Sequence, residues 1–114
     1  MKYQIEYLKH ILDEANFLLK NSQGVSFETF SNDAVLKRAF IRCLEIIGEA
    51  VKRLSPDLKQ KHPGINWKQI AGMRDKLIHD YMGVDYELVW DIVVNKIPAL
   101  QQEIVKMIEA ETGK

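Results

Sequence analysis

Residues 34–54 read AVLKRAFIRCLEIIGEAVKRL, and apolar side chains recur in this stretch every three or four positions. This spacing is typical of an α-helix that packs on one face. The apolar set is wide enough to contact neighbours on more than one side. We predict that this helix is capped by Ser31 or Asn32 and stops before Ser55-Pro56.

Helical periodicity also occurs on either side of this stretch. The first helix is predicted around residues 5–19 and ends near Asn21 and Gly24. After a polar connector at residues 56–66, which has room for one short helical turn, a third helix begins at Asn66. Gln69 stands three residues later in a capping-box position, and Gly83 is the predicted C′ glycine of this helix.

The last periodic stretch begins at Asp85 and continues to residue 108. Pro98 lies inside it and is expected to kink or split the helix near Lys96, because proline lacks an N–H and clashes with the preceding turn. Strand signals are nearly absent. We therefore predict an all-α fold, an up-down bundle of four to five helices joined by short links.

Length and composition predict one globular domain, residues 1–114, with a thin core. Hydrophobic residues make up 46% of the 114 residues and charged residues 28%. A chain this short is expected to bury apolar surface against a second copy, which favours a two-fold homodimer.

The net charge is zero, but the charge is unevenly distributed along the chain. Residues 52–79 carry seven cations against two anions, whereas residues 80–111 carry seven anions against two cations. A basic middle segment is compatible with a local phosphate-binding surface and equally with ordinary solvated helix faces.

Cysteine and terminal features predict a cytoplasmic protein without a membrane partner. The single cysteine, Cys43, excludes an intramolecular disulfide and is interpreted as a small buried hydrophobe. The first ten residues, MKYQIEYLKH, contain no apolar signal-peptide core. No apolar run approaches the roughly 20 residues that span a bilayer.

Common cofactor motifs are missing from the sequence. The histidines, His10, His62 and His79, are not spaced for a zinc site, and no cysteine pair accompanies them. No glycine-rich phosphate-binding loop and no nucleophile elbow occur. We therefore predict neither a metal nor another cofactor.

The segment RDKLIHDY, residues 74–81, collects the residue types that can cleave RNA without a metal. The guanidinium of Arg74 has donors suited to phosphate oxygens, and His79 can exchange a proton near neutral pH. Asp75, four residues before His79, is placed to hold the imidazole. The alternative is a surface helix end with a solvated arginine and a half-buried histidine.

Helical geometry restricts how Arg74 and His79 can act together. They are five positions apart, which is about 140° around an ideal helix at about 100° per residue. One regular helix does not aim both at the same phosphate. Either the helix end unwinds, or a second chain contributes its own arginine and histidine to a shared cleft.

Two segments resemble the HEPN superfamily, and specifically the HepT-like ribonuclease toxins of prokaryotic toxin–antitoxin pairs. These segments are LEIIGEAVKRLS, residues 44–55, and WKQIAGMRDKLIHDYMGVDYELVW, residues 67–90. Within the second, Arg74, His79 and Tyr81 fit the family pattern R-x4-H-x-Y, and Asp75 matches the polar residue that follows the arginine. The likeness covers most of the chain and is weakest over residues 1–30.

The resemblance implies a dimeric helical bundle with metal-independent endoribonuclease activity, in which Arg74 and His79 are the catalytic pair and Asp75 supports them. It also implies a partner, a minimal nucleotidyltransferase antitoxin of the MntA type. That enzyme would transfer AMP to Tyr81 and silence the toxin, as in a type VII-like system. A non-catalytic helical module that serves dimerisation or nucleotidyltransferase docking is the alternative.

Some charged and aromatic side chains outside the motif remain open in interpretation. Glu45 and Glu49 lie one turn apart on the second predicted helix, and Arg42 precedes Glu49 by seven residues. These charges could line a cleft or pair with the motif, or they could form surface and intra-helix ion pairs. Trp67 and Trp90 are interpreted as core anchors rather than as platforms for RNA bases.

Overall fold

A computed structural model describes residues 2–77 and 83–113 of the chain, and every regular element in these ranges is helical. The all-α prediction is therefore confirmed for the described residues. They form eight helices rather than four to five, because short helices connect the long ones. The helices are α1 (Lys2–Ser22), α2 (Phe27–Ser31), α3 (Ala34–Lys52), α4 (Pro56–Gln60), α5 (Trp67–Ala71), α6 (Met73–Leu77), α7 (Tyr86–Asn95) and α8 (Ile97–Thr112).

The core lies between the long helices. α1 packs along both α3 and α8, and α7 packs against α8, α1 and α3. Most of the fully buried side chains lie at the apolar positions that the periodicity of the long helices selects, whereas Phe30 comes from α2. The largest of them are Phe30, Phe40, Leu8, Ile11, Leu18, Leu44, Ile47, Leu77, Ile97, Leu100, Ile104 and Met107.

Helix α2 is absent from the sequence-based prediction, and its presence shifts the start of α3. Ser26 caps α2 by accepting a hydrogen bond from the N–H of Thr29 at 3.1 Å. The cap of α3 is Asp33, whose carboxylate accepts from the N–H of Leu36 at 2.9 Å. The prediction of Ser31 or Asn32 as the cap is therefore wrong by one or two residues. Both positions belong to the end of α2.

The predicted boundaries at Asn66, Asp85 and Pro98 are confirmed. Asn66 caps α5 and accepts a hydrogen bond from the N–H of Gln69 at 3.0 Å. Asp85 caps α7 in the same manner. Pro98 lies in the first turn of α8, and Lys96 separates α7 from α8, which confirms the predicted split.

The predicted third helix is interrupted at Gly72. Instead of one helix from Asn66, the chain forms α5 and α6 with Gly72 between them at φ −88° and ψ 4°. Glycine is a weak helix former, because its backbone loses more conformational freedom than that of other residues. The extension of this helix to Gly83 was predicted over residues 78–82, which lie outside the described residues.

The packing of α5 against α3 depends on Gly48. A Cβ atom at this position would lie 3.5 Å from the carbonyl oxygen of Ile70 and 3.6 Å from that of Ala71. These are ordinary contact distances for one carbon atom, and they leave no room for a longer side chain. The last turn of α5 therefore lies directly on the backbone of α3.

Cys43 is buried on α3, at 5% exposure, as predicted. Burial of the thiol, followed by hydrogen bonding to Glu14 and the negative charge of that carboxylate, raises the pKa of Cys43 to about 12. The thiol therefore stays protonated near neutral pH, and Cys43 acts as a packing residue rather than as a nucleophile.

The sequence predicts that no segment is long and apolar enough to span a bilayer. None of the helices in the described part of the chain combines the length and the apolarity that crossing a bilayer requires.

The contact at Gly48 predicts opposite effects for a small and a large substitution. Gly48→Ala is expected to keep or raise the free energy of unfolding by up to about 1 kcal/mol, because the methyl group fits and alanine favours the helix. Gly48→Leu is expected to lower it by about 1–3 kcal/mol through overpacking against α5. Urea unfolding of both variants measures the difference, and a leucine variant as stable as wild type would contradict the described packing.

Candidate functional site

Helix α6 carries the arginine of the R-x4-H-x-Y motif and three of the four residues that follow it. Met73 and Leu77 are buried and hold α6 on the core, whereas Arg74 and Asp75 are exposed. This pattern is that of a short amphipathic helix whose polar side faces solvent. Arg74 is therefore fixed at its backbone and accessible at its side chain.

The guanidinium of Arg74 is held by a carboxylate from another helix. Its Nε–H donates to Oε2 of Glu45 on α3 at 2.9 Å. The side chain of Arg74 is 51% exposed, and that of Glu45 is 24% exposed. One of the alternatives left open by the sequence is thereby decided: Glu45 pairs with the motif.

Glu49 and Lys52 instead form an ion pair within α3. Their side chains lie 3.7 Å apart, and both are more than half exposed. Such exposed pairs between residues three apart on a helix contribute little to stability. The two glutamates that the sequence groups together therefore have different roles, since one contacts α6 and the other contacts its own helix.

Three carboxylates act on the charge of Arg74. The hydrogen bond to Glu45 and the negative charge of Glu45 raise the pKa of Arg74, and the charges of Asp75 and Glu49 act in the same direction. The side chain is therefore a permanent cation. Its surroundings are acidic, so its attraction for a phosphate depends on geometry as well as on charge.

Trp67, the first residue of α5, is buried and hydrogen-bonded to the connector that precedes it. Its indole N–H is shared between the carbonyl oxygens of His62, at 3.0 Å, and Lys59, at 3.2 Å. The ring is 8% exposed. His62 in turn lies 3.6 Å from Glu103 on α8. Trp67 is therefore a core anchor, as predicted, and ties α5 to the connector.

Trp90 also packs as predicted. Its ring centroid is 5.0 Å from that of Phe30 and 6.5 Å from that of Phe27. It is partly buried on α7, in contact with the aromatic residues of α2. Helix α2, which the sequence analysis did not predict, is therefore the element that covers Trp90.

The rest of the motif follows α6 directly in the chain. His79 and Tyr81, the predicted proton carrier and the predicted AMP acceptor, lie outside the described residues. On either side of residues 78–82, the N–H of Asp85 donates to the carbonyl oxygen of Leu77 at 2.8 Å. Gly83 has φ 82°, a left-handed conformation that favours glycine. The two ends of the segment are therefore joined at the backbone.

A groove of about 190 Å³ runs between α5–α6 and α7. Ile70, Met73 and Ile92 are among its apolar lining residues, and its charged lining consists of Lys76, Lys96 and Asp91. The helix that carries Arg74 therefore also presents a lysine to a neighbouring depression.

Within residues 2–77 and 83–113, no group of three or more histidine, cysteine, aspartate or glutamate side chains is arranged to hold a metal ion.

Comparison with known proteins gives consistent matches over nearly the whole chain. The profile of the Ribonuclease HepT-like family matches residues 5–107. A Caldanaerobacter subterraneus subsp. tengcongensis protein that carries the name "putative RNase" is 50% identical over 111 residues, covering 97% of this chain and 99% of that protein. The chain belongs to the HepT-like ribonuclease family.

Archaeal relatives give the same result at lower identity. A Thermococcus cleftensis protein named "probable ribonuclease HepT" is 41% identical over 102 residues, covering 90% of this chain and 93% of that protein. A Methanocaldococcus jannaschii "putative RNase" is 43% identical over 108 residues, covering 95% and 89%. No solved structure matches the chain significantly.

Family membership confirms the resemblance that the motif segments carried. The assignment of Arg74 and His79 as catalytic residues, of Asp75 as their support and of Tyr81 as the modified residue stays a prediction. The pairing of Glu45 with Arg74 could be read from the sequence only as one option, since the two residues are 29 positions apart.

Proposed function

We propose that this HepT-like chain is a metal-independent endoribonuclease and the toxin of a toxin–antitoxin pair. The observation that carries the proposal is the Arg74 guanidinium, which is exposed, held in place by Glu45 and located at the start of the family motif. Arginine placed in this way supplies the fixed positive charge that a phosphoryl-transfer transition state requires.

In the proposed reaction, His79 is the general base and removes the proton of a ribose 2′-OH. The 2′ oxygen attacks the adjacent phosphorus, and the bond from phosphorus to the 5′ oxygen breaks. The products are a 2′,3′-cyclic phosphate and a 5′-hydroxyl. Arg74 stabilises the charge that develops on the phosphoryl oxygens, and Asp75 holds the imidazole of His79.

A second copy of the chain completes this scheme. The leaving 5′ oxygen needs a proton from an acid, and a two-fold dimer provides a second His79 for that role. The angular separation of Arg74 and His79 on an ideal helix, about 140°, also favours a cleft shared between two chains. Lys76 and Lys96, which line the groove next to α6, would supply positive charge to flanking phosphates in this proposal.

Regulation is proposed to occur at Tyr81 through a minimal nucleotidyltransferase antitoxin. The phenol oxygen of Tyr81 would attack the α-phosphorus of ATP, and pyrophosphate would leave. The attached AMP would add negative charge and a bulky group at Tyr81, which is seven residues from Arg74 in the sequence. Its phosphate would compete with RNA for the guanidinium and block the cleft.

The alternative is a non-catalytic module that dimerises or docks a nucleotidyltransferase. Its motif would then serve binding only. The acidic surroundings of Arg74 favour this alternative, since Glu45, Asp75 and Glu49 all oppose the approach of a phosphate. The cleavage assay below separates the two functions.

We expect purified protein to cleave a labelled RNA oligonucleotide in the presence of EDTA. His79→Ala is expected to lower the rate by at least about 100-fold, the scale of a lost acid–base group, and Arg74→Ala by a similar factor, the scale of a lost charge-stabilising donor. Arg38→Ala, an exposed arginine two turns before Glu45 on α3, is the matched control. Circular dichroism checks that each variant stays folded.

The same assay also identifies the chemistry. A 2′,3′-cyclic phosphate terminus on the upstream fragment is the expected product. Loss of cleavage with EDTA, or a wild-type rate in Arg74→Ala or His79→Ala, would contradict the assignment. A wild-type protein without cleavage would favour the docking module.

We expect the chain to be a homodimer in solution. Sedimentation velocity at micromolar concentration should give a species of twice the 13.2 kDa chain mass. If the protein sediments as a monomer at every concentration, the proposed cleft between two chains does not form and that part of the mechanism is wrong.

We expect the cognate nucleotidyltransferase and ATP to add one or more AMP masses to the wild-type chain and to stop RNA cleavage. Tyr81→Phe should gain no AMP, because the acceptor oxygen is missing. Tyr86→Phe is the control, since Tyr86 is half-buried beneath Lys37, whose Nζ lies 4.6 Å from the ring centroid. Intact mass measurement is the readout. AMP on the Tyr81→Phe chain would place the acceptor elsewhere.

A further inference from the structure

We infer that Glu45 is a positioning residue for Arg74, and that it orients the guanidinium so that its terminal N–H groups point at the RNA phosphate. The inference rests on the proposed function, in which Arg74 contacts that phosphate. The observation behind it is the hydrogen bond from Arg74 Nε to Glu45 Oε2 at 2.9 Å, between two different helices.

Glu45 is itself well fixed. It stands near the middle of α3, which is capped by Asp33 and spans Ala34–Lys52. Its neighbours Leu44 and Ile47 are fully buried, so the backbone at Glu45 is held by the core. The side chain of Glu45 is about three-quarters covered. It is therefore a rigid acceptor rather than a mobile surface charge.

Arginine is suited to being held at one edge while it binds at the other. The guanidinium is planar and carries five N–H donors, one on Nε and four on the two terminal nitrogens. Glu45 takes the Nε–H. The hydrogen bonds of the described residues leave the four terminal N–H groups for an outside acceptor such as a phosphate. The long, half-exposed side chain of Arg74 is therefore held in one orientation before the substrate binds.

Glu45 also lowers the local positive charge, and this effect opposes the benefit of orientation. Water screens the charge of a side chain that is half exposed, so neutralisation is partial at this site. Orientation is not screened. Misplacement of a catalytic group by about 1 Å can reduce a rate by about 100-fold. We therefore expect orientation to dominate.

Glu49 provides the matched control within the same helix. It lies one turn after Glu45 and adds negative charge near Arg74, but its side chain pairs with Lys52. It makes no hydrogen bond to Arg74 among the described residues. Changing Glu49 therefore alters the charge around Arg74 without altering the contact that orients it.

The test compares Glu45→Ala, Glu45→Gln and Glu49→Gln in steady-state cleavage of a short RNA oligonucleotide. We expect Glu45→Ala to lower kcat by about 10- to 100-fold with a smaller change in KM, because the loss falls on the transition state. Glu45→Gln should stay within about threefold of wild type, since its amide oxygen still accepts the Nε–H. Glu49→Gln should also remain close to wild type.

A second readout measures the contact without relying on activity. In ¹⁵N-labelled protein, the Arg74 Nε–H signal is assigned by its absence in Arg74→Lys. Its hydrogen exchange should be slow in wild type and in Glu45→Gln, and fast in Glu45→Ala. Thermal unfolding of each variant separates loss of fold from loss of orientation.

The possible outcomes distinguish the two proposals. If wild type cleaves RNA and Glu45→Ala has the same kcat, the positioning role is wrong and the proposed function stands. If Glu45→Gln and Glu49→Gln both cleave faster, most of all at low salt, Glu45 acts by masking charge and the inference is overturned. If wild type cleaves no RNA, the proposed function fails, and the positioning role fails with it even when the exchange data confirm the contact.

Discussion

The close approach of α5 to α3 at Gly48 determines where the candidate site lies. The missing side chain lets the carbonyl oxygens of Ile70 and Ala71 come within contact distance of the α3 backbone. One turn earlier on α3, Glu45 meets Arg74, which comes three residues after Ala71 in the chain. The two contacts run in opposite directions along the segments, so α3 and the α5–α6 segment are antiparallel here. A bulkier residue at position 48 would therefore displace the surface that carries Arg74.

The charge around Arg74 gives this site a character different from that of a basic phosphate pocket. The cations Arg74 and Lys52 face the carboxylates of Glu45, Glu49 and Asp75. Among these five side chains the three carboxylates outnumber the two cations, in a chain whose overall charge is zero. Long-range attraction does not explain how such a site would capture RNA. In the proposed function, affinity comes from oriented donors and from cations that a second chain contributes.

Local signals in the sequence predicted much of the fold, and they failed where several helices meet. Asn66 and Pro98 act through their own backbone chemistry, so their effects could be predicted from position alone. Helix α2 has only five residues, too few for a period to emerge, and it is stabilised by the contact of Phe30 with Phe40 and Trp90. The interruption at Gly72 was missed because glycine also occurs within helices, and tertiary packing decides between the two outcomes.

In the candidate site too, features that follow from a local sequence pattern could be predicted, and features that depend on tertiary contacts could not. The motif of Arg74, His79 and Tyr81, together with its flanking segments at residues 44–55 and 67–90, carried the family resemblance, which the comparisons confirm. The partner of Arg74 lies 29 residues earlier, on a helix whose periodicity identifies buried positions but not cross-helix ion pairs. Glu45 could be noticed as a charge within an apolar stretch. Its contact with α6 depends on the helix packing at Gly48, which no local pattern encodes.

The pairing with Glu45 also changes the geometric argument for a second chain. That argument placed Arg74 and His79 about 140° apart on one ideal helix. The guanidinium contacts a carboxylate of α3, so its direction depends on that contact as well as on its own helix. Among the described residues, Glu45 is the one hydrogen-bond partner of the Arg74 guanidinium, so a phosphate would approach the edge that lies away from that carboxylate. A proton carrier that acts with Arg74 has to reach this side, and a two-fold axis beside α6 would bring the motif of a second chain to it.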